Sequence, residues 1–211
     1  MSEPAPPGGW LADSAERWPV LGSELMSSGN IVRIRHDTVQ MPDDRRVSRE
    51  VVEHPGAVAI VAMNPDGEVL LIRQYRHPVQ RLLWEIPAGL RDAPGETLLA
   101  TAQRELVEEA GHRAADWRVL ADFFPSPGIS SERLRVFLAR DLARVPEAER
   151  GYVPHHEEAH LVVAWAPLEA VVAGFLAGRL HNGVTAVGVL AAHAARQDGF
   201  AGLRGADAPE C

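Results

Sequence analysis

The run Gly56-Ala-Val-Ala-Ile-Val-Ala-Met63 carries no polar side chain and is closed by the turn signal Asn64-Pro65-Asp66-Gly67. A strand that is apolar on both faces needs cover on both, so this run predicts a central strand with packed layers above and below it. The turn leads into EVLLIRQY, which reads as the second strand of a hairpin. Upstream, the strand-like segments IVRIRHDTVQM and RRVSREVVEH flank Pro42-Asp43-Asp44. Downstream, after WEIPAG, residues 96–110 read as a helix ended by Gly111. DWRVLADFF and RLRVFLAR follow as strands joined by FPSPGISSE, then the strand LVVAW and helices near residues 167–177 and 184–196. Strands, one helix, more strands and a helical end suit an α/β chain with a mixed sheet sandwiched between helices. Residues 1–16 and 203–211 are expected to fray, leaving N-terminal strands at 17–54 and one main domain at 55–202.

Composition narrows the chemistry. The apolar share of 46% and charged share of 24% fit a globular core, and the net charge of −8 argues against nucleic acid as a partner. All 21 basic residues are arginine, which excludes a Schiff-base or phosphate-loop lysine. The single cysteine, Cys211, allows no intrachain disulfide and makes thiol catalysis an unpromising reading. The start MSEPAPPGGW has no basic, apolar signal character, and the apolar stretch 161–178 is broken by Pro167 and Glu169. A cytoplasmic chain with no membrane partner is expected.

The segment GETLLATAQRELVEEAG is the most informative. On a helix, Leu99, Ala102, Leu106 and Ala110 form an apolar stripe, while Glu105, Glu108 and Glu109 fall together on another. Three like charges on one stripe repel by roughly 0.2–0.5 kcal/mol per close pair. They form either a solvated acidic face or a site for a hard divalent cation, which would remove the repulsion. Arg104 is near enough to bond Glu108 from the edge of the stripe.

Glu96, Arg104-Glu105-Leu106, Glu108-Glu109 and Gly111 stand at the spacing of the Nudix box, G-x5-E-x7-R-E-U-x-E-E-x-G-U, which the chain resembles. Six fixed letters coincide by chance about once in 10⁷ windows. Two departures exist: Gly89 precedes Glu96 by one residue more than the pattern, and His112 replaces the last aliphatic residue. The resemblance implies a Nudix α/β/α sandwich with a small N-terminal antiparallel sheet. It also implies hydrolysis of a nucleoside diphosphate linked to another group, with Mg²⁺ (or Mn²⁺) as cofactor. Glu105 and Glu109 would be the main metal ligands, Glu108 would assist, and the Ala88 carbonyl would complete the set. Gly89, Glu96 and Arg104 would be structural, with Glu96 partnering Arg104.

The flanks, REVVEHPGAVAIVA, QYRH, WEIPAG and SPGIS, together with Pro127, resemble the ADP-ribose pyrophosphatase subfamily. That likeness implies cleavage of ADP-ribose to AMP and ribose 5-phosphate, a homodimer formed through the N-terminal arm, and substrate contacts from Arg49, Arg76 and Glu85. Guanidinium groups suit phosphate oxygens or an adenine face, although surface ion pairs are the plainer reading of each arginine. A loop acid, Glu158 with Glu157 as fallback, would activate the attacking water. The same loop contains His156-Glu157-x-x-His160, a zinc-protease pattern, but Pro154 and the strand from Leu161 leave barely one helical turn for it. A histidine-rich surface loop is the simpler rival. Other nucleoside diphosphate derivatives, such as a nucleotide sugar or a dinucleotide, remain an alternative substrate class. A non-catalytic Nudix-like sensor is a further alternative, disfavoured by the complete set of box acids.

Overall fold

The computed structural model describes residues 12–150 and 161–210, and the chain divides into two compact units, residues 1–52 and 53–211. The N-terminal unit is a sheet of β1 (Val20–Ser28), β2 (Arg33–Gln40) and β3 (Arg46–Glu53), in that order. The sequence pattern predicts β2 and β3 and misses β1, whose residues are all exposed and so show no burial alternation. On β2, Asp37 is buried, and it accepts hydrogen bonds from Ser23 Oγ at 2.6 Å and Arg35 Nε at 3.0 Å. The Ser23 hydroxyl, more than any other neighbour, holds its carboxyl below the ordinary value.

The second unit is built on two sheets. The larger has the order β11 (Arg204–Gly205), β8 (His112–Phe123), β9 (Leu134–Arg144), β4 (Ala57–Ala62) and β7 (Ala88–Leu90). Its β4–β9 pair is parallel, and the other pairs are antiparallel. The smaller is antiparallel, with the order β10 (Val162–Pro167), β5 (Glu68–Arg76) and β6 (Arg81–Glu85). The predicted hairpin is therefore a corner. Beyond the single bridge Met63–Val69 the chain leaves one sheet for the other.

Every residue of β4 is buried, as the unbroken apolar run requires. Ala57, Ala59 and Val61 pack toward α2 (Leu168–Leu176) and α3 (Gly183–Arg196), meeting Leu168, Val171, Val189 and Ala192. Val58, Ile60 and Ala62 pack toward Ala102, Leu106 and Ala110 of α1 (Leu98–Ala110). This is the expected α/β/α layering. Among the described residues no helix is long and apolar enough to cross a membrane.

The end of the chain differs from the expectation of a frayed tail. β11 pairs with β8, and the carbonyls of Ala208 and Pro209 accept hydrogen bonds from Arg135 at 2.6 and 2.9 Å. Arg91 bonds Glu210 at 3.2 Å. The cause is Arg135 itself, the second residue of β9, whose side chain is 2% exposed and needs acceptors there. It finds Asp122 at 2.6 Å on the paired strand, and the tail supplies two carbonyls.

Candidate active site

Thr97 caps α1, its side chain accepting from the Ala100 N–H at 3.1 Å, and Gly111 closes the helix with a left-handed φ of 63°. Glu96 therefore stands just outside the helix, rather than beginning it, and is free to turn back along it. Its carboxylate accepts from Arg104 Nε and Nη2, both at 3.3 Å, and from Thr101 Oγ1 at 3.0 Å. The hydrogen bond from Arg104 is the main reason its pKa lies below the ordinary value.

Arg104 also donates through Nη1 to Glu105 at 2.7 Å and to Glu108 at 3.0 Å. One guanidinium thus ties together three of the box acids. Burial works against its charge, yet Glu96, Glu105 and Glu108 together raise its pKa.

The other side of the stripe lies against β7. A Cβ on Gly89 would collide with the Glu105 carboxyl, so a glycine is needed here for close approach, and no positive φ is involved. Burial pushes the Glu105 carboxyl up to about 7, against the opposing pull of Arg104. Glu109 is half-buried and accepts the Ala88 N–H at 2.9 Å. Glu105 thus lies against Gly89, and Glu109 is bonded by the Ala88 N–H rather than sharing a role with the Ala88 carbonyl.

These carboxylates suit a hard divalent cation by their chemistry. Glu105 is a carboxylate that burial disfavours in its charged form, and it lies in the space that a Cβ on Gly89 would fill. Among the described residues, however, no three acids, imidazoles or thiols already converge as a closed metal cage. Arg104 supplies the counter-charge instead.

Arg76 and Glu85 are brought together as partners. Arg76 donates from Nε at 3.0 Å and from Nη2 at 2.6 Å to the two oxygens of Glu85, which is 2% exposed. Gln74 Nε2 donates to the same carboxylate at 3.3 Å. Gln74 escapes the motif reading but leaves a signal: it continues the buried phase of β5 after Leu70 and Ile72, a polar residue where an apolar one belongs. Arg49 lies on β3 of the N-terminal unit, where its guanidinium donates to the Ser48 carbonyl at 2.8 Å. Glu157, Glu158 and the His156–His160 pattern fall outside the described residues. An apolar cleft of 230 Å³ beside Trp84 and Val171, and a polar one of 390 Å³ beside Arg140 and Arg196, include no residue of α1.

The box geometry has a counterpart in sequence comparison, where the NUDIX domain model matches residues 53–184. The chain belongs to the Nudix family. This Nudix chain is 46% identical over 187 residues to the ADP-ribose pyrophosphatase of Mycobacterium tuberculosis, covering 89% of this chain and 88% of that one. It is 37% identical over 127 residues to the ADP-ribose pyrophosphatase of Bacillus subtilis, covering 60% and 68% respectively. The crystal structure of an ADP compounds hydrolase superposes with a TM-score of 0.72 at 22% identity, covering 89% of this chain and 99% of that one, and so shares the Nudix fold.

Proposed function

We propose that this Nudix protein hydrolyses the diphosphate of ADP-ribose, releasing AMP and ribose 5-phosphate. The observation that carries this reading is the likeness to ADP-ribose pyrophosphatases over most of the chain, with the box acids drawn against β7. Nudix hydrolases are generally divalent-metal dependent, and Mg²⁺, with Mn²⁺ as substitute, is the cation we assign. The carboxylates of Glu105, Glu108 and Glu109 and the carbonyl of Ala88 would hold it. Such a cation neutralises diphosphate oxygens and lowers the pKa of bound water.

The chain's own residues do the rest. Glu85 fixes the plane of Arg76 through hydrogen bonds from Nε and Nη2, which would orient that guanidinium toward phosphate or the adenine face. Arg49 is assigned to the same substrate. Glu158 accepts the proton of the attacking water, and one phosphoanhydride P–O bond breaks. We extend the proposal to a cytoplasmic homodimer formed through the N-terminal arm, whose Val20, Leu21, Leu25 and Met26 are exposed. Sedimentation at micromolar concentration tests this, and an active monomer would rule it out.

The activity is tested by supplying ADP-ribose, nucleotide sugars and dinucleotides with Mg²⁺ or Mn²⁺ and separating the products. AMP and ribose 5-phosphate from ADP-ribose as the preferred substrate, abolished by a chelator, is the expected result. Faster turnover of another diphosphate would replace the substrate assignment.

Glu158→Gln should lower kcat by about 10²–10⁴-fold with little change in KM, because a water-activating group acts mainly in the transition state. Glu157→Gln should cost far less. Equal, minor losses in both would return the search for a base to Glu105, Glu108 and Glu109.

A further inference from the structure

Residues 85–88 form the link by which the chain crosses from the smaller sheet to the larger. It carries both halves of the proposed site: Glu85, which holds Arg76, at one end, and Ala88, which bonds Glu109, at the other. Between them the backbone has polar groups to satisfy away from solvent. The Pro87 carbonyl accepts from Ile60 of β4 at 2.8 Å. The Ile86 N–H, on a buried residue between the strands β6 and β7, is taken by a side chain instead.

That side chain is Thr185, 99 positions away in sequence and fully buried at the start of α3. Its Oγ1 accepts from Ile86 at 3.0 Å and donates to Asn182 Oδ1 at 2.9 Å. The same Asn182 oxygen caps α3 by accepting the Thr185 N–H at 2.8 Å. The hydroxyl therefore has a fixed donor and a fixed acceptor, and cannot rotate without losing one of them. One turn further on, a Cβ at Gly188 would stand 2.9 Å from Ile86 Cδ1, so the helix backbone runs close beside the residue whose amide it holds.

We infer that Thr185, oriented by Asn182, is a positioning residue that sets the separation between the Arg76–Glu85 clamp and the α1 carboxylates. It stands just past the segment matched by the family model, which ends at residue 184. The inference rests on the proposed diphosphate hydrolysis for its catalytic consequence, and on the hydrogen bonds alone for its existence.

Thr185→Val keeps the shape and removes the hydroxyl, leaving the Ile86 N–H without its acceptor. Displacing one half of the site relative to the other should lower kcat by about 10–100-fold while KM stays within about three-fold, since each half still binds its own part of the substrate. Thr185→Ser should restore most of kcat. In amide exchange, Ile86 should be protected in the wild type and in the Ser variant, and exposed in the Val variant. A Val variant within about two-fold of wild-type kcat, a Ser variant as impaired as a folded Val variant, or an unprotected Ile86 amide in the wild type would each overturn the inference. If the Val variant does not fold, the Ser variant and the wild-type exchange rate still decide. If the wild type leaves ADP-ribose intact, the proposed function falls; the same split is then measured on whichever diphosphate is turned over, and with none turned over the exchange data decide.

Discussion

Glu109→Gln is expected to fold normally and to lose at least about 100-fold in turnover. The glutamine amide oxygen can still accept the Ala88 N–H, and the side-chain volume hardly changes, so β7 should stay against α1. What disappears is a negative charge on the carboxylate stripe, where a divalent cation would need it. Steady-state kinetics at saturating Mg²⁺, beside a thermal melt of the same preparation, make the check. A folded variant with near-wild-type turnover would remove Glu109 from the metal site.

Asp122→Ala should be the most damaging change remote from the proposed chemistry. Asp122 receives Arg135 Nε at 2.6 Å and Nη2 at 2.8 Å, and Arg204 Nη1 at 3.0 Å. Deleting it takes the carboxylate away from a guanidinium that β9 keeps almost wholly buried, a loss of about 3–5 kcal/mol. Urea unfolding would show it, and a loss below about 1 kcal/mol, the range of an exposed pair, would refute the account. The pair also predicts a pH dependence. Burial acts to raise the Asp122 pKa, but Arg135 and then Arg204 outweigh it and bring it below the ordinary value. Its contribution to stability is therefore complete above about pH 4 and disappears as pH falls through the lower folded-state value. The Ala variant should lack that part of the acid sensitivity.

What could be read from the sequence was what is encoded locally. The helical spacing of Glu105, Glu108 and Glu109, the end of α1 at Gly111 and the two-sided burial of β4 all depend on neighbours within a few positions. The meeting of Glu96 with Arg104 was available from the family pattern. Pairings across the fold left no such mark. Nothing near Arg135 announces that Ala208 and Pro209 will supply its acceptors, and nothing near Glu109 names the Ala88 N–H as its partner. β1 failed for the opposite reason. With every residue exposed, it carries no inside–outside rhythm to read. Gln74 shows the middle case, since its register marks it as buried although only the fold reveals Glu85 as its acceptor.

Gly188 bears on how this protein could be engineered. Replacing a mid-helix glycine by alanine ordinarily stabilises a helix by roughly 0.5–1 kcal/mol, which makes α3 an inviting target for routine thermostabilisation. Here the added methyl would lie 2.9 Å from Ile86 Cδ1 and 3.1 Å from both Val61 Cγ2 and Val136 Cγ1. The Ile86 side chain would have to swing aside and the two valines give by a few tenths of an ångström, disturbing the packing around the crossing link. A rule that improves most helices would, at this position, exchange helix propensity for a looser catalytic frame.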